Sequence, residues 1–242
     1  MRLKIIACEV FVREVCHAVA RSPHIVDMEF TPKDAHDDSD NLKKLIQEKI
    51  DETEEDEVNY DAILMGYGLC GNSILGITSS KIPLVVPRAH DCCTIFLGSR
   101  EKFKKHFGDR LSSRWSSPGY LERGESMFRD SDDDELYYMD QSYQDLVEQY
   151  GEENAKYVWE QLHPDMEDDN LIYIDIPEFQ DLGYEEKIKK EAEETGKKFE
   201  KIPGDMRIIE NLIFGNWEED FLVVNPGEKI KAVYDLDQVI IT

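Results

Sequence analysis

Long apolar runs are missing from this chain of 242 residues, and no stretch approaches the ~18–20 residues that a membrane span requires. Basic residues are scarce, with 28 Lys and Arg against 53 Asp and Glu and a net charge of −25. Nucleic acids and anionic membrane surfaces are polyanions that such a surface repels, so neither is expected as a partner. No P-loop, GxSxG elbow or HExxH motif occurs, which takes away the main support for nucleotide and hydrolase chemistry. The acidic tracts at 51–57, 130–135 and 165–169 lack the ordered Asp/Gly pattern of a calcium loop and read as solvated surface. The opening apolar run at 5–8 is too short for a signal peptide and reads as a first strand, so a cytoplasmic protein is expected. Cysteine numbers five, an odd count with no CxxC knuckle, which excludes a disulfide scaffold.

What is present is alternation. Apolar runs at 3–11, 24–31, 61–66 and 82–87 read as strands, with amphipathic helices over 12–21, 41–54 and 100–108, the second capped by Asp40. After an aperiodic stretch, helical patterning returns over 140–163, 184–196 and 205–214, with strands at 170–176, 198–202, 220–224 and 231–241. The spacing predicts an α/β fold of mostly parallel open sheets flanked by helices, with Rossmann-like or flavodoxin-like halves. The chain divides into an N-terminal α/β half over 1–108, an irregular insertion loop over 109–135, and a C-terminal α/β half over 136–242 packed on the first.

Chemistry concentrates at three strand outlets. Cys8 ends the first run, YGLCGN at 67–72 follows the third, and PRAHDC at 87–92 follows the fourth. Open α/β sheets bind ligands outside the carboxyl ends of their strands, so a flavodoxin-like strand order brings Cys8, Cys70 and Cys92 to one edge. His90 lies two residues before Cys92, and in an extended segment the two side chains share a face. Thiolate and imidazole suit zinc and iron–sulfur clusters. The candidate metal ligands are therefore Cys8, Cys70, His90 and Cys92. A Cys3His zinc site, a [4Fe–4S] cluster on three cysteines, and an open zinc site that activates a substrate thiol for methyl transfer all fit this spacing. Buried structural cysteines are the alternative, as is a metal-free enzyme with Cys70 or Cys92 as nucleophile and His90 as base.

Around these residues, Tyr67, Gly68, Gly71 and Asn72 would line a cofactor pocket, the glycines allowing close backbone approach. Arg88 would anchor an anionic substrate or pair with Asp91, and Glu9 would serve as base or supporting partner. Asn225-Pro226-Gly227, at another strand outlet, would complete the pocket. Cys16 reads as core, Cys93 as pointing away from Cys92, and His36 as a loop histidine with no role, ahead of a supporting or ligand role.

The motifs YGLCGN and PRAHDC resemble the uncharacterised family called domain of unknown function 1638. So do LGS at 97–99, Ala7-Cys8, His36 before Asn41-Leu42, Tyr137-Tyr138, Tyr150-Gly151, Gly204-Asp205 and the 220–227 run. Ser73 departs from the glycine usual there. The resemblance carries no established activity. It implies an anaerobic setting beside corrinoid-dependent methyltransferases, hence a link to methyl or one-carbon metabolism and a corrinoid protein or methyltransferase as partner. A non-catalytic corrinoid- or partner-binding module and a small-molecule substrate stay open beside it.

Overall fold

A computed structural model describes residues 1–108, 115–123, 170–233 and 238–242. The helix expected over 140–163 lies outside these residues. The architecture is mixed α/β: a five-stranded, mostly parallel sheet and a three-stranded parallel sheet, both flanked by helices.

The first sheet has the order β2-β1-β3-β4-β8. Its strands are β1 (Arg2–Cys8), β2 (Ile25–Thr31), β3 (Ala62–Gly66), β4 (Leu84–Pro87) and β8 (Phe221–Val224). The first four run parallel, and β8 runs antiparallel to β4. Leu3, Ile5, Ile6 and Ala7 of β1 are fully buried, because a parallel strand between two neighbours is covered on both faces. Strand order reverses between β1 and β3, so the connections on either side leave opposite faces and open a crevice at the carboxyl edge.

Helix α1 (Val12–Val19) packs on α7 (Arg207–Phe214), which rests on β3 and β4. Helix α2 (Ser39–Glu55) places Leu42, Ile46 and Ile50 against the core at helical spacing. Its cap is Asp38 rather than the expected Asp40. Asp38 sits in extended backbone at φ −130°, and its Oδ1 accepts from the N–H groups of Asp40 and Asn41 at 2.9 and 3.0 Å.

The second sheet is β5 (Trp115–Ser116), β6 (Asn170–Asp175) and β7 (Lys198–Pro203), with α6 (Tyr184–Thr195) packed on the last two. Trp115, Ile172, Ile174 and Ile202 join the same buried cluster as the first sheet. The irregular loop expected over 109–135 is thus corrected for residues 115–123, which form β5 and helix α5 (Pro118–Arg123). Short elements of two and six residues carry too little periodicity to register against the surrounding serines and charges. The single strand expected over 231–241 is instead an antiparallel ribbon of β9 (Lys231–Ala232) and β10 (Ile240–Ile241).

Helix α3 (Cys92–Leu97) is also absent from the sequence reading. All six of its residues are buried, so it shows no amphipathic period. Its first residue follows the cap Asp91, whose Oδ1 accepts from the Thr94 N–H at 3.0 Å. Helix α4 (Arg100–Phe107) follows after the left-handed Gly98. Among the described residues no helix is long and apolar enough to cross a membrane.

One buried acid sits in the packing of α1. Glu14 is 2 % exposed, and neither carboxyl oxygen has a hydrogen-bond partner. Burial pushes its pKa up to about 8; Glu122 and Glu178 push the same way, against its own backbone N–H and Arg13. The neutral acid is the form that fits. Its contribution to stability is complete below the ordinary value of 4.5 and is lost as pH rises through about 8. Denaturant titrations at pH 5 and pH 9 should show stability falling for the native protein. Glu14→Gln, neutral at both pH values, should remove most of that fall, on the order of 4 kcal/mol.

Candidate functional site

The crevice between β1 and β3 is where the three thiols meet. Cys8 is the last residue of β1 and 2 % exposed, and the Val10 N–H of the 3-10 helix Glu9–Phe11 donates to its sulfur. Cys70 lies four residues beyond β3, and Cys92 begins α3. The Cys70 thiol is hydrogen-bonded to Cys92, and Cys8 is within electrostatic reach of both. Cys92 Sγ stands 2.7 Å from the hydroxyl of Tyr120. Tyr67, 1 % exposed, lies beside Cys8 and Cys70 with its hydroxyl 2.9 Å from Thr31 Oγ1.

Local backbone explains why the turns meet. A Cβ on Gly68 would lie 2.7 Å from Asp91 Cα, so only glycine lets these two outlets touch. Leu69 and Cys70 N–H groups then donate to the carbonyls of Ala89 and His90 at 2.8 and 3.1 Å. Cys70, Gly71 and Asn72 follow in left-handed backbone at φ 44°, 63° and 72°. For a residue with a Cβ such as Cys70, this costs about 1–2 kcal/mol, strain that clusters at functional sites.

Tyr120 is the site residue that sequence reasoning missed. It rides on α5, inside the stretch expected to be irregular. A Cβ on Gly119 would come within 1.8 Å of the Val10 carbonyl oxygen, so the glycine lets α5 lie directly on the turn that follows Cys8. The pair Pro118-Gly119 was the available signal, and it reads as an ordinary turn without that contact. Lys33 Nζ lies 5.9 Å from the Tyr120 ring centroid.

Burial pushes the Cys8 thiol up to about 12, outweighing the Val10 N–H. The hydrogen bond to Cys92, then burial, raises Cys70; burial, then Cys92, raises Tyr120. These groups are protonated at neutral pH unless a cation joins them. Among the described residues, no three His, Cys, Asp or Glu side chains stand arranged to hold a metal ion.

The other expected site residues fall elsewhere. The segment His90-Asp91-Cys92 is not extended through Cys92, because Asp91 caps a helix that begins there. The His90 side chain is 50 % exposed; its ring stacks on Phe103 at 5.9 Å and its Nδ1 lies 4.0 Å from Asp91 Oδ2. Asp91 raises its pKa. Arg88 donates to the carbonyls of Phe221, Gln238 and Ile240, tying β8 and the terminal ribbon to the outlet of β4. Glu9 Oε1 accepts from the Lys33 N–H at 2.8 Å, and its Oε2 lies 3.9 Å from Arg123. Asn72 is exposed. Asn225-Pro226-Gly227 does not complete the pocket: β8 is antiparallel, so its carboxyl end lies beside Leu84, at the opposite edge of the sheet. Cys16, expected in the core, is exposed, and Cys93 is fully buried.

Gly66, Gly68 and Gly71 also spell GxGxxG, a spacing that the sequence reading passed over. Dinucleotide-binding turns of that pattern open into a helix whose N-terminus seats the pyrophosphate. Here residues 70–76 form turns and no helix intervenes before β4, so that seat is lacking.

A flavodoxin-like strand order with three thiols and two tyrosines at its switch point defines the class: an α/β protein with a cysteine-rich carboxyl edge. The chain belongs to the family described as "Protein of unknown function (DUF1638)", whose model matches residues 30–213. The match includes Cys70 and Cys92, while Cys8 precedes it. No curated protein and no solved structure matches the chain.

Thiol reactivity should follow this geometry. In metal-free native protein at neutral pH, a thiol-alkylating reagent should label the exposed Cys16 first, with Cys8 and Cys93 protected until unfolding. Peptide mass spectrometry over a time course reads the order, and early labelling of Cys8 would contradict the burial described.

Proposed function

We propose that Cys8, Cys70 and Cys92 act together as thiolate ligands of a soft metal centre, zinc or a [4Fe–4S] cluster. The observation that carries this reading is the convergence of three thiols from three separate strand outlets on one buried edge. Burial disfavours thiolates there, and a bound cation is what reverses that preference: a coordinating thiol is deprotonated outright. Three sulfur donors leave one position of a tetrahedral zinc, or one iron of a cluster, open to another ligand.

A metal-free thiol nucleophile is less well supported. Its nucleophile needs a lowered pKa and an adjacent base. Here the candidate nucleophile Cys70 is pushed upward, and His90, the expected base, lies against Asp91 and Phe103. Work beside a corrinoid protein in anaerobic methyl or one-carbon metabolism is the setting proposed for this centre. It rests on the company that the family resemblance implies, and a small-molecule substrate or partner would enter at the open position.

Anaerobic purification followed by elemental analysis and a visible spectrum tests the proposal. Bound zinc, or iron with sulfide and a brown colour, is the expected result. Cys8→Ser, Cys70→Ser and Cys92→Ser should each cut metal content by ~10-fold or more, since loss of even a supporting partner costs that much. Cys16→Ser should leave it unchanged. Metal-free, colourless protein with titratable thiols would overturn the reading.

A further inference from the structure

Two of the three sulfurs at the sheet edge already stand as a pair. The Cys70 thiol is hydrogen-bonded to Cys92. Among the described residues no other two cysteines are: Cys8 and Cys93 reach Cys92 only electrostatically, and Cys16 is exposed on α1. Cysteines on distant backbones cannot be bridged without moving the chain. Here the two segments touch, because the Cys70 N–H donates to the His90 carbonyl at 3.1 Å and Gly68 lies against Asp91, the residue before Cys92.

Access to the two is unequal. Cys92 is 9 % exposed, and its Sγ stands 2.7 Å from the Tyr120 hydroxyl. Cys70 is half-buried and opens the left-handed run Cys70–Asn72. A Cβ on its neighbour Gly71 would meet nothing within 4 Å, so the turn borders open space. A reagent from solution therefore reaches Cys70 first, with Cys92 behind it. Cys93, on the same helix as Cys92, is fully buried and lies out of the reagent's path. The hydrogen bond to Cys92, with burial, holds the Cys70 thiol protonated, which slows attack without deciding where the equilibrium lies.

We propose that Cys70 and Cys92 form a reversible redox pair, which a low-molecular-weight disulfide closes to an intramolecular one. Cys70 Sγ attacks one sulfur of the reagent and forms a mixed disulfide, and the first thiol leaves with the Cys70 proton. Cys92 Sγ then attacks the Cys70 sulfur, and the second thiol leaves with the Cys92 proton. Two protein thiols are oxidised by two electrons, and one reagent disulfide is reduced to two thiols. The new bond ties the outlets of β3 and β4 covalently where their backbones already meet. It also withdraws two of the three sulfur donors from any cation. That consequence rests on the metal reading above, whereas the pairing itself does not.

The test uses the full chain, purified anaerobically, stripped of metal by a chelator and equilibrated natively with oxidised glutathione at mildly alkaline pH. Thiol titration after unfolding should fall from five to three, and dithiothreitol should restore all five. Peptide mass spectrometry without reduction should join the Cys70 peptide to the Cys92 peptide. Cys92→Ser should stop at a single glutathione on Cys70, Cys70→Ser should take up none at Cys92, and Cys16→Ser should cross-link like the wild type. Thermal melting checks that each variant is folded, and the wild-type cross-link is read without any substitution. Five thiols retained, a bond between any other two cysteines, or a glutathione adduct that persists on wild-type Cys70 overturns this inference. Protein that binds metal as purified but fails to cross-link leaves the metal reading standing, and protein that cross-links but never holds metal overturns only that reading.

Discussion

The contact between Gly68 and the backbone of Asp91 is the constraint on which the site depends. It brings the outlets of β3 and β4 closer than any side chain permits, and two backbone hydrogen bonds then zip residues 69–70 to residues 89–90. Cys70 and Cys92 sit at the ends of that zipper. The parallel pairing of β1 with β3 adds the third sulfur, because Ala7 lies opposite Gly66 and Cys8 comes next. Nothing about the thiols themselves draws them together. The sheet does so, through register and one missing Cβ.

A second layer of interactions holds this edge against the rest of the molecule. Gly204 packs under Phe96 and Ile176, and the Asp205 N–H donates to the Phe96 carbonyl at 2.9 Å, fixing α3 to the end of β7. Arg207 donates to the Gly98 carbonyl and to Asp220, while Arg100 reaches the same carboxylate. Arg88 secures the carbonyls of β8 and the terminal ribbon. Polar side chains committed to backbone carbonyls in this way stiffen an edge that would otherwise be a set of loose loops. The guanidinium of Arg88, expected to anchor a substrate or pair with Asp91, instead donates to three carbonyls.

The parallel sheet was legible because β1, β3 and β4 are short apolar runs that alternate with amphipathic or turn-rich stretches, and the amphipathic α2 announces itself through Leu42, Ile46 and Ile50. The meeting of Cys8, Cys70 and Cys92 was legible too, as a consequence of strand order. What sequence could not display was anything lacking period or proximity. Helix α3 is buried all round, so no polar face marks it. The direction of β8 is invisible in four residues, and with it the position of Asn225-Pro226-Gly227. His36 and Tyr120 are single residues in short elements, and only the fold says which neighbours they meet.

The seating of α5 on the Val10 carbonyl has a further consequence for how this protein tolerates change. Segments without a hydrophobic period ordinarily accept insertions and deletions with little penalty. Here nine residues, 115–123, are fastened to the floor of the site through a position where only hydrogen fits. A methyl group at position 119 would lift Tyr120 from the sulfur below it. Evolutionary drift is therefore expected to halt at position 119, where no side chain fits.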